Sequence, residues 1–379
     1  MKAGTKKFLI SRFVMLMVFS VLAVPFLSID KVNADEQDSW TMFGNNPART
    51  GLLENQDLVA NVSEWDIHWS KPRDSSPAIA NGYVYYKLDH VICLNASDGE
   101  TVWEAAKGVA QDIWSVAVVY GCVYADANGY VYALNASTGE EIWTYEVGND
   151  EELYAPTVSS GVVYVGCGDN NLYAFDAFAG TKIWNYSTNG KVRTSPAVVD
   201  GIVYVGSGSG VYAINASTGA KIWNNLTGAL IFKTPVVAYG YVYAGANNLL
   251  VALDAFTGMR IWNFSNPGFF PEWGSPAVAC GLIYFGCGAD DNYYTGNFYV
   301  LDAYTGEQVV HIELDNRVYS TPAIAYGTVY LATTNRLYAI DISSSIPEFP
   351  SLAPLLIIPF LFTVALVTYR RKINRRSIV

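Results

Sequence analysis

TSPAVVDGIVYVGSGSGVYAINASTGAKIWNNLTG, residues 194–228, is the stretch of sequence that decides the fold. An apolar run begins after Ser195, Asp200-Gly201 forms a turn, and an alternating run around Tyr204 follows, which is the pattern of a β-hairpin. After a Gly/Ser turn come two further β-type runs, separated by Asn-Ala-Ser-Thr-Gly, and the second contains Trp223. The stretch therefore predicts four consecutive antiparallel strands.

Three markers of this stretch recur along the chain in a constant order. The position of Pro196 recurs at steps of 39, 40, 40, 39, 41 and 46 residues, at Pro77, Val116, Pro156, Pro196, Pro235, Pro276 and Pro322. The Ile-Trp marker recurs at Trp103, Trp143, Trp184, Trp223 and Trp262, with Val310 where a sixth tryptophan would fall. The third marker is an Asn or Asp at the end of the third strand of each unit, at Asn95, Asn135, Asp176, Asn215, Asp254, Asp302 and Asp341. A period of about forty residues with four strands per unit predicts a β-propeller.

The units resemble the PQQ-type, quinoprotein-like β-propeller repeat. The resemblance rests on Ser-Pro-Ala, Gly-x-Val-Tyr-Val-Gly, Val-Tyr-Ala-Leu-Asn-Ala-x-Thr-Gly and Ile-Trp, and it covers residues 65–341. It implies an all-β fold of four-stranded antiparallel blades. It implies no single activity, because this family includes quinone-dependent dehydrogenases and many propellers that bind no quinone.

The two ends of the repeat region complement each other. Residues 64–71, with Trp69 at the phase of the other tryptophans, have no opening strands, whereas the seventh repeat supplies only three strands, up to Asp341. We expect residues 64–71 to pair with the last repeat and close a seven-bladed ring, because closure removes exposed sheet edges. Eight blades are the alternative if residues 35–63 form strands.

The N-terminal residues have the pattern of a secretory signal peptide. A basic region precedes an apolar run, residues 13–27, and Val-Asn-Ala ends at residue 34, after which we expect cleavage. An uncleaved anchor helix is the alternative, but the run is shorter than the about 20 residues that a span needs. Residues 35–63 are expected to form a strap before the propeller of residues 64–345.

The C-terminal segment has three parts. Residues 346–351, Ile-Pro-Glu-Phe-Pro-Ser, precede an apolar run, residues 352–369, and a basic tail, residues 370–379. The run is just long enough to span a bilayer, and the basic tail belongs on the cytoplasmic side, so the propeller is expected outside the cell. The tail resembles the Pro-Glu-Phe sorting signals of archaea, which implies processing by a sortase-type enzyme. A simple type I membrane anchor is the alternative.

The net charge of the part that is expected to be exported limits the classes of molecule that it can bind. Residues 35–345 hold 13 basic and 32 acidic residues, a net charge of −19. An acidic surface without a basic stripe argues against nucleic acid or anionic lipid as a partner.

The chain also carries seven Asn-x-Ser/Thr sequons, which predict glycosylation of an exported protein. The candidate asparagines are Asn61, Asn95, Asn135, Asn185, Asn215, Asn225 and Asn263.

The aromatic residues of the repeats are predicted to form the core. The tryptophans recur once per unit at one phase, as packing between adjacent sheets demands. The same holds for the second-strand tyrosines Tyr85, Tyr124, Tyr164, Tyr204, Tyr243 and Tyr284. The Asn/Asp-Ala-x-Thr-Gly stretches are predicted to be turns, in which the Asx side chain accepts backbone amides.

The cysteines and histidines indicate neither a metal site nor a catalytic triad. The cysteines are Cys93, Cys122, Cys167, Cys280 and Cys287, an odd number without an adjacent pair. Only Cys280 and Cys287 share a hairpin, in which the two thiols could approach each other. The three histidines, His68, His90 and His311, are scattered. No catalytic residue is predicted.

The loops that enter the first strands differ between repeats. The resemblance implies that these loops lie at one mouth of the central channel. They carry aromatic residues beside charges of both signs, which suits a polar organic ligand, a glycan or a peptide. The candidate ligand-binding residues are Asp112, Trp114, Glu152, Tyr154, Arg193, Lys233, Glu272, Trp273, Arg317 and Tyr319. An ordinary solvated rim is the alternative, because loops favour polar residues.

The resemblance also implies what an enzyme of this type would need. Dehydrogenases that resemble these repeats stack PQQ on a tryptophan, hold calcium with Glu, Asn and Asp, and place a vicinal disulfide over the quinone. Trp114 or Trp273 would stack, and Asp112 or Glu152 would bind the ion. The vicinal disulfide is absent, and no acid stands at a diagnostic spacing.

We therefore expect a cell-surface anchored propeller that is a non-catalytic binding or envelope scaffold for a protein or glycan. A rigid ring would lose little ordering entropy when a partner docks on its loops. One alternative is a quinone- or calcium-dependent oxidoreductase. The other is an assembly factor for exported proteins, which resembles the outer-membrane assembly propeller lipoproteins and captures strands of its partners.

Overall fold

The computed structural model describes residues 77–342, except 88–89, 106–114, 149–151, 209, 229, 232, 247–248, 266–273, 289–294, 319, 326 and 334–335. The expected signal peptide, strap, closing segment 64–71, sorting motif, apolar run and basic tail lie outside the described residues. These expectations stay predictions. Within residues 77–342, as far as they are described, no helix is long and apolar enough to cross a membrane.

The described residues form seven antiparallel sheets, which we number as blades in chain order. Blades 1 and 2 contain β1 (Ala78–Ala80), β2 (Tyr83–Lys87), β3 (Val91–Asn95), β4 (Thr101–Ala105), β5 (Ala117–Val119), β6 (Cys122–Ala127), β7 (Tyr130–Asn135) and β8 (Glu141–Glu146). Blades 3 and 4 contain β9 (Thr157–Ser159), β10 (Val162–Gly166), β11 (Asn171–Asp176), β12 (Lys182–Ser187), β13 (Ala197–Val199), β14 (Ile202–Ser207), β15 (Gly210–Asn215) and β16 (Lys221–Leu226).

Blades 5 and 6 contain β17 (Val236–Ala238), β18 (Tyr241–Ala246), β19 (Leu249–Asp254), β20 (Arg260–Ser265), β21 (Ala277–Ala279), β22 (Leu282–Gly288), β23 (Gly296–Asp302) and β24 (Gln308–Leu314). Blade 7 contains β25 (Ala323–Ala325), β26 (Thr328–Ala332) and β27 (Leu337–Asp341). Six sheets have four strands in sequence order, and the seventh has three among the described residues.

The blades are arranged around a common axis. From blade 1 to blade 7, the first strand of each blade contacts the first strand of the next. The face of blade 1 that is turned away from blade 2 is also buried, at Tyr86, Ile92 and Leu94. Both sides of a terminal blade are covered in a closed ring, whereas an open stack would expose one of them. The predicted seven-bladed β-propeller is confirmed.

Neighbouring blades are joined by a tyrosine and a tryptophan that share one acceptor. Between blades 3 and 4, Tyr164 Oη and Trp184 Nε1 both donate to the carbonyl oxygen of Ala216, at 3.4 and 2.8 Å. A Cβ on Gly219 would lie 2.8 Å from Trp184 Cδ2, so glycine is needed against the indole ring. We call this arrangement the tryptophan lock. It recurs on the carbonyls of Ala136, Ala177, Ala255 and Ala303.

A β-bulge turns each tryptophan towards the next blade. In blade 4, Trp223 pairs with Ala213, whereas Lys221 pairs with Ile214, so that Ile222 has no partner across the ladder. Ile222 is 44% exposed, and Trp223 is 8% exposed. The extra residue bends the strand and directs the indole ring into the interface. The prediction that the tryptophans pack between sheets is confirmed.

The predicted Asx turns are also confirmed. Asn215 Oδ1 accepts hydrogen bonds from the backbone nitrogens of Ser217 and Thr218, at 3.1 and 2.9 Å. Gly219, which ends this turn, has φ 70°, a left-handed conformation that glycine tolerates best. The turn therefore positions both the carbonyl and the glycine of the tryptophan lock.

All five cysteines are free thiols. Cys280 is exposed in the turn before β22, whereas Cys287 is buried within that strand. Strand β22 is extended, so it keeps the two residues apart although they share a hairpin. The suggested approach of Cys280 to Cys287 is therefore wrong.

The tryptophan lock predicts a difference between two glycine-to-alanine variants. Gly201 and Gly219 have φ 72° and 70°, but a Cβ on Gly201 meets nothing within 4 Å. Gly201→Ala should cost about 1–2 kcal/mol from backbone strain alone. Gly219→Ala should cost about 1–3 kcal/mol more, because the methyl group meets Trp184. Urea midpoints of the two variants measure this difference, and equal midpoints would contradict the lock.

Because it buries thiol and phenol groups, we expect the folded protein to become less stable at high pH. Burial raises the pKa of Cys287 from 9.0 to about 12, and it raises the pKa of Tyr164 and of Tyr204 from 10.0 to about 12. The unfolded chain therefore loses these protons at a lower pH than the folded chain does. The free energy of unfolding is unaffected by these groups below pH 9, and it falls as the pH rises above 9. Each such group contributes about 1.4 kcal/mol per pH unit to the fall.

Denaturant unfolding from pH 7 to pH 11 measures this fall. Cys287→Ser is the control, because it removes one titrating group from a buried site of similar size. Between pH 9 and pH 10, this variant should show a smaller fall in the free energy of unfolding with pH, by the amount that the release of about one proton accounts for. Stability that stays constant through pH 11 would contradict the prediction.

Candidate binding face

The loops that enter the first strands lie at one end of the disc. Because consecutive strands are antiparallel, each entry loop lies at the same end as the turn between the second and third strands of its blade. Isolated bridges show this directly: Leu153 pairs with Cys167, Ile231 with Ala246, and Val318 with Thr333. We call this end, formed by the entry loops and these turns, the entry face.

Each described entry loop is anchored by one buried aliphatic side chain. The anchors are Leu153, Val192, Ile231 and Val318, each at most 2% exposed. A Cβ on Gly166 of blade 3 would lie 2.8 Å from Val192 Cγ1 of blade 4. Glycine in the second strand of one blade thus makes room for the anchor of the next. Sequence reasoning missed these anchors, although an aliphatic residue three or four positions before the proline was a usable signal.

Hydroxyl groups add to this anchoring. Thr194 Oγ1 accepts a hydrogen bond from Gly206 N at 2.9 Å. Thr157 Oγ1 donates to the carbonyl of Pro196 at 2.6 Å, which joins blade 3 to blade 4. Ser320 Oγ accepts from Ala332 N at 2.7 Å in blade 7. The described entry loops are therefore held to the sheets by both packing and hydrogen bonds.

The candidate ligand-binding residues differ in their exposure. Glu152 and Arg193 are exposed, and Lys233 is half-buried. Tyr154 is buried, and its hydroxyl donates to Glu152 Oε2 at 3.0 Å. Arg317 is 4% exposed. All five lie in entry loops, and Glu152 and Arg193 are accessible to a partner. The remaining candidates lie outside the described residues: Asp112, Trp114, Glu272, Trp273 and Tyr319.

Asp169 belongs to the entry face but was missed from the sequence. Asp169 Oδ2 accepts hydrogen bonds from Tyr173 Oη at 2.5 Å and from Asn171 Nδ2 at 2.9 Å. Burial opposes ionisation of this carboxyl group, but these hydrogen bonds outweigh it and lower the pKa of Asp169. Asp169 therefore stays negatively charged near neutral pH. An aspartate in a turn gave no sign of this role, because turns favour aspartate anyway.

Charges of both signs meet where blades 3 and 4 adjoin. Backbone bonds connect the loops: Gly168 N donates to Glu152 O at 2.7 Å, and Val192 N donates to Cys167 O at 3.1 Å. Beside these bonds stand two acidic residues of blade 3 and two exposed basic residues of blade 4. We call this set the charged rim: Glu152, Asp169, Lys191 and Arg193.

A buried ion pair joins blades 1 and 2 near the same face. Lys87 Nζ lies 3.4 Å from Asp126 Oδ2 and also donates to the carbonyl of Asp126. The two side chains are 2% and 1% exposed. Removal of one partner would leave the other charge buried and uncompensated, which strongly destabilises a folded protein. The sequence did not predict this pair, because its members are 39 residues apart.

Most of the candidate residues for a quinone and its calcium ion lie outside the described residues, namely Asp112, Trp114 and Trp273, whereas Glu152 is described. No three His, Cys, Asp or Glu side chains within the described part of the chain come together to hold a metal ion. The buried Cys93, Cys122, Cys167 and Cys287 are free thiols in separate strands and turns, and no two cysteines are adjacent in the sequence.

The described sequons lie in two kinds of place. Asn95, Asn135 and Asn215 begin Asx turns, where their side-chain oxygens accept turn amides. The other three lie on fourth strands, and Asn61 is outside the described residues. Asn185 and Asn263 are exposed, whereas Asn225 is half-buried and faces blade 5, where its Nδ2 donates to Gly258 O at 2.8 Å.

This difference predicts which fourth-strand sequon carries a glycan. Asn263 should be modified, whereas Asn225 should stay largely unmodified, because its side-chain nitrogen is directed into a blade interface. Peptide mapping of the full chain from a glycosylating host measures the occupancy of both sites. Asn263 is the matched control, since it lies on the neighbouring fourth strand. Equal occupancy at both asparagines would contradict the prediction.

Comparisons with known proteins agree with this architecture. The structure of a europium-containing methanol dehydrogenase is 16% identical, with a TM-score of 0.67, covering 81% of this chain and 84% of that one. BamB from Moraxella catarrhalis is 16% identical, with a TM-score of 0.57, covering 70% and 78%. Quinohemoprotein alcohol dehydrogenase from Comamonas testosteroni is 15% identical, with a TM-score of 0.69, covering 82% and 72%. At these identities the likeness shows the fold alone.

No curated protein sequence matches the chain. The profile of one family, described as outer membrane protein assembly factor BamB, matches residues 87–285 and 273–346. The two matches together span more than half of the chain and nearly all of the described propeller. The chain therefore belongs to this family, and its fold is the PQQ-type β-propeller.

Proposed function

We propose that this protein is a non-catalytic scaffold that binds other proteins at the cell surface through its entry face. The observation that carries the proposal is the charged rim, where fixed loops of adjacent blades present two acidic and two basic side chains. Buried anchors and hydroxyl bonds hold these loops, so little conformational freedom is lost when a partner binds. Charges of both signs favour one orientation of a partner with the complementary pattern.

The location is part of the proposal and rests on the sequence. The signal-peptide pattern, the sequons, the Pro-Glu-Phe motif and the apolar run at residues 352–369 support export, glycosylation and membrane attachment. The resemblance of the tail to archaeal sorting signals supports processing by a sortase-type enzyme. The propeller would then lie outside the cell and close to its membrane.

A role in the assembly of exported proteins is the second candidate function. The family description and the structural likeness to BamB from Moraxella catarrhalis support it. In that role, the partner at the entry face would be an exported protein that is still folding. The two functions share a binding surface and differ in the folded state of the partner.

A quinone- or calcium-dependent oxidoreductase is the remaining alternative. The likeness to two dehydrogenase structures supports it, but at 15–16% identity this likeness shows the fold and no activity. Among the described residues no three His, Cys, Asp or Glu side chains form a metal-binding group, and Asp112, one of the two candidate ion ligands, lies outside them. Addition of PQQ and calcium to the purified full chain, followed by dye reduction with alcohols, tests this alternative separately.

Site-specific photo-cross-linking tests the scaffold proposal. A benzophenone amino acid replaces Arg193 on the entry face of the full chain, which is expressed in its own host. The control replaces Lys221, which is exposed at the start of β16 and therefore at the opposite end of the disc. We expect position 193 to give a discrete cross-linked protein and position 221 to give none.

The charges of the rim supply a second measurement. Arg193→Glu should reduce binding of the identified partner about tenfold, and the loss should be smaller at high salt. Lys221→Glu makes the same change of charge and should have no effect. Equal cross-linking from both positions, or dye reduction that requires PQQ and calcium, would overturn the proposal.

A further inference from the structure

The interface between blades 6 and 7 lacks the tryptophan lock. Val310 stands on β24 where the other blades have tryptophan, and it pairs with Val300 as Trp262 pairs with Ala252. In the sequence, Asp341-Ile342-Ser-Ser-Ser stands where the other repeats have Asn or Asp followed by Ala-x-x-Gly. The tryptophan, the alanine and the glycine of the lock are thus all replaced in the sequence, whereas its tyrosine is kept as Tyr284.

The rest of the interface keeps the common geometry. Ile342 N donates to Gly327 O at 2.8 Å, as Ala303 N donates to Gly281 O at 2.9 Å in blade 6. Ile342 therefore occupies the place that alanine holds in the other turns. Tyr284 keeps its place in the second strand, opposite Val300 on β23. The interface has lost an indole ring without a change in backbone arrangement.

A cavity of about 140 Å³ lies between blades 6 and 7, where this ring would be. Its lining is mainly apolar and includes Leu282, Phe298, Val300, Val310 and Ile340. Val309, which also lines the cavity, is 52% exposed, so this side adjoins solvent at the outer edge of the disc. The space is therefore accessible from outside.

Tyr284 supplies a polar atom to this apolar space. Its side chain is fully buried, and it lines the cavity. The corresponding tyrosines of blades 1 to 5 each donate to an alanine carbonyl, but the Tyr284 hydroxyl has no hydrogen-bond partner among the described residues. A buried hydroxyl without a partner is unfavourable. A bound molecule that reaches it would remove this deficit.

We propose that the cavity is a binding site for a small aromatic molecule, with a ring system the size of indole and one polar edge atom that hydrogen-bonds to Tyr284. The size fits, because an engineered apolar cavity of about 150 Å³ binds benzene in another protein. The shape fits, because each of the five neighbouring interfaces holds an indole ring at this place. A water molecule fits less well, because it needs two to four polar partners and most of the lining is apolar.

Binding of indole to the purified full chain, measured by calorimetry, tests the proposal. Indene is the matched probe, because it has the same shape without the polar N–H group. We expect indole to bind, and indene to bind about tenfold more weakly, the effect of one hydrogen bond. Tyr284→Phe should remove this preference and leave the binding of indene unchanged.

Two further variants test the location. Val310→Trp should fill the cavity, abolish indole binding and keep or raise the urea midpoint, and Val310→Phe takes its place if the larger residue prevents folding. Trp262→Val should create an equivalent space between blades 5 and 6 and add a second indole site. The proposal is overturned if wild-type protein binds neither probe at millimolar concentration. It is also overturned if a folded Val310 variant binds indole as the wild type does.

Discussion

The tryptophan lock is the interaction on which the rest of the propeller depends. A single four-stranded blade has two apolar faces and cannot bury either one alone. From blade 1 to blade 6, the lock joins each blade to the next with two hydrogen bonds on one carbonyl and an indole ring packed on a glycine, as Trp184, Tyr164, Ala216 and Gly219 do between blades 3 and 4. At these five interfaces it holds the facing sheets at one spacing, and the loops of both blades are positioned accordingly at the two ends of the disc.

The entry face depends on that spacing. A loop of one blade is held by the second strand of the blade before it, as Val192 packs on Gly166, so the loop conformations follow from how the blades adjoin. The loops can differ in their exposed residues because each described loop keeps a buried aliphatic anchor. Loops that carry acidic groups on blade 3 and basic groups on blade 4 are thus held next to each other, as the proposed binding role requires.

The interface of blades 6 and 7 shows what happens where the repeat is broken. Loss of the tryptophan leaves the strands in place, because the ladder bonds within each sheet do not involve the indole ring. Blade 7 has Ile342 where the other blades have alanine. A cavity remains because Ile342 and Val310 together do not fill the volume of the missing indole ring. This departure from the repeat therefore coincides with a mainly apolar cavity lined by Tyr284, whose buried hydroxyl has no hydrogen-bond partner among the described residues.

The sequence by itself determined the strands, the seven repeats and the packing role of the tryptophans, because these follow from local alternation and from a period along the chain. It also located Glu152 and Arg193 in the entry loops. The tertiary structure alone decided that Asp169 joins them, that Tyr154 is buried and that Tyr284 borders a cavity. Asp169 joins Glu152 because the entry loop of blade 3 is hydrogen-bonded to the turn after β10. Tyr284 borders a cavity because of how blades 6 and 7 pack, and no local pattern in the sequence records which side chains meet across such an interface.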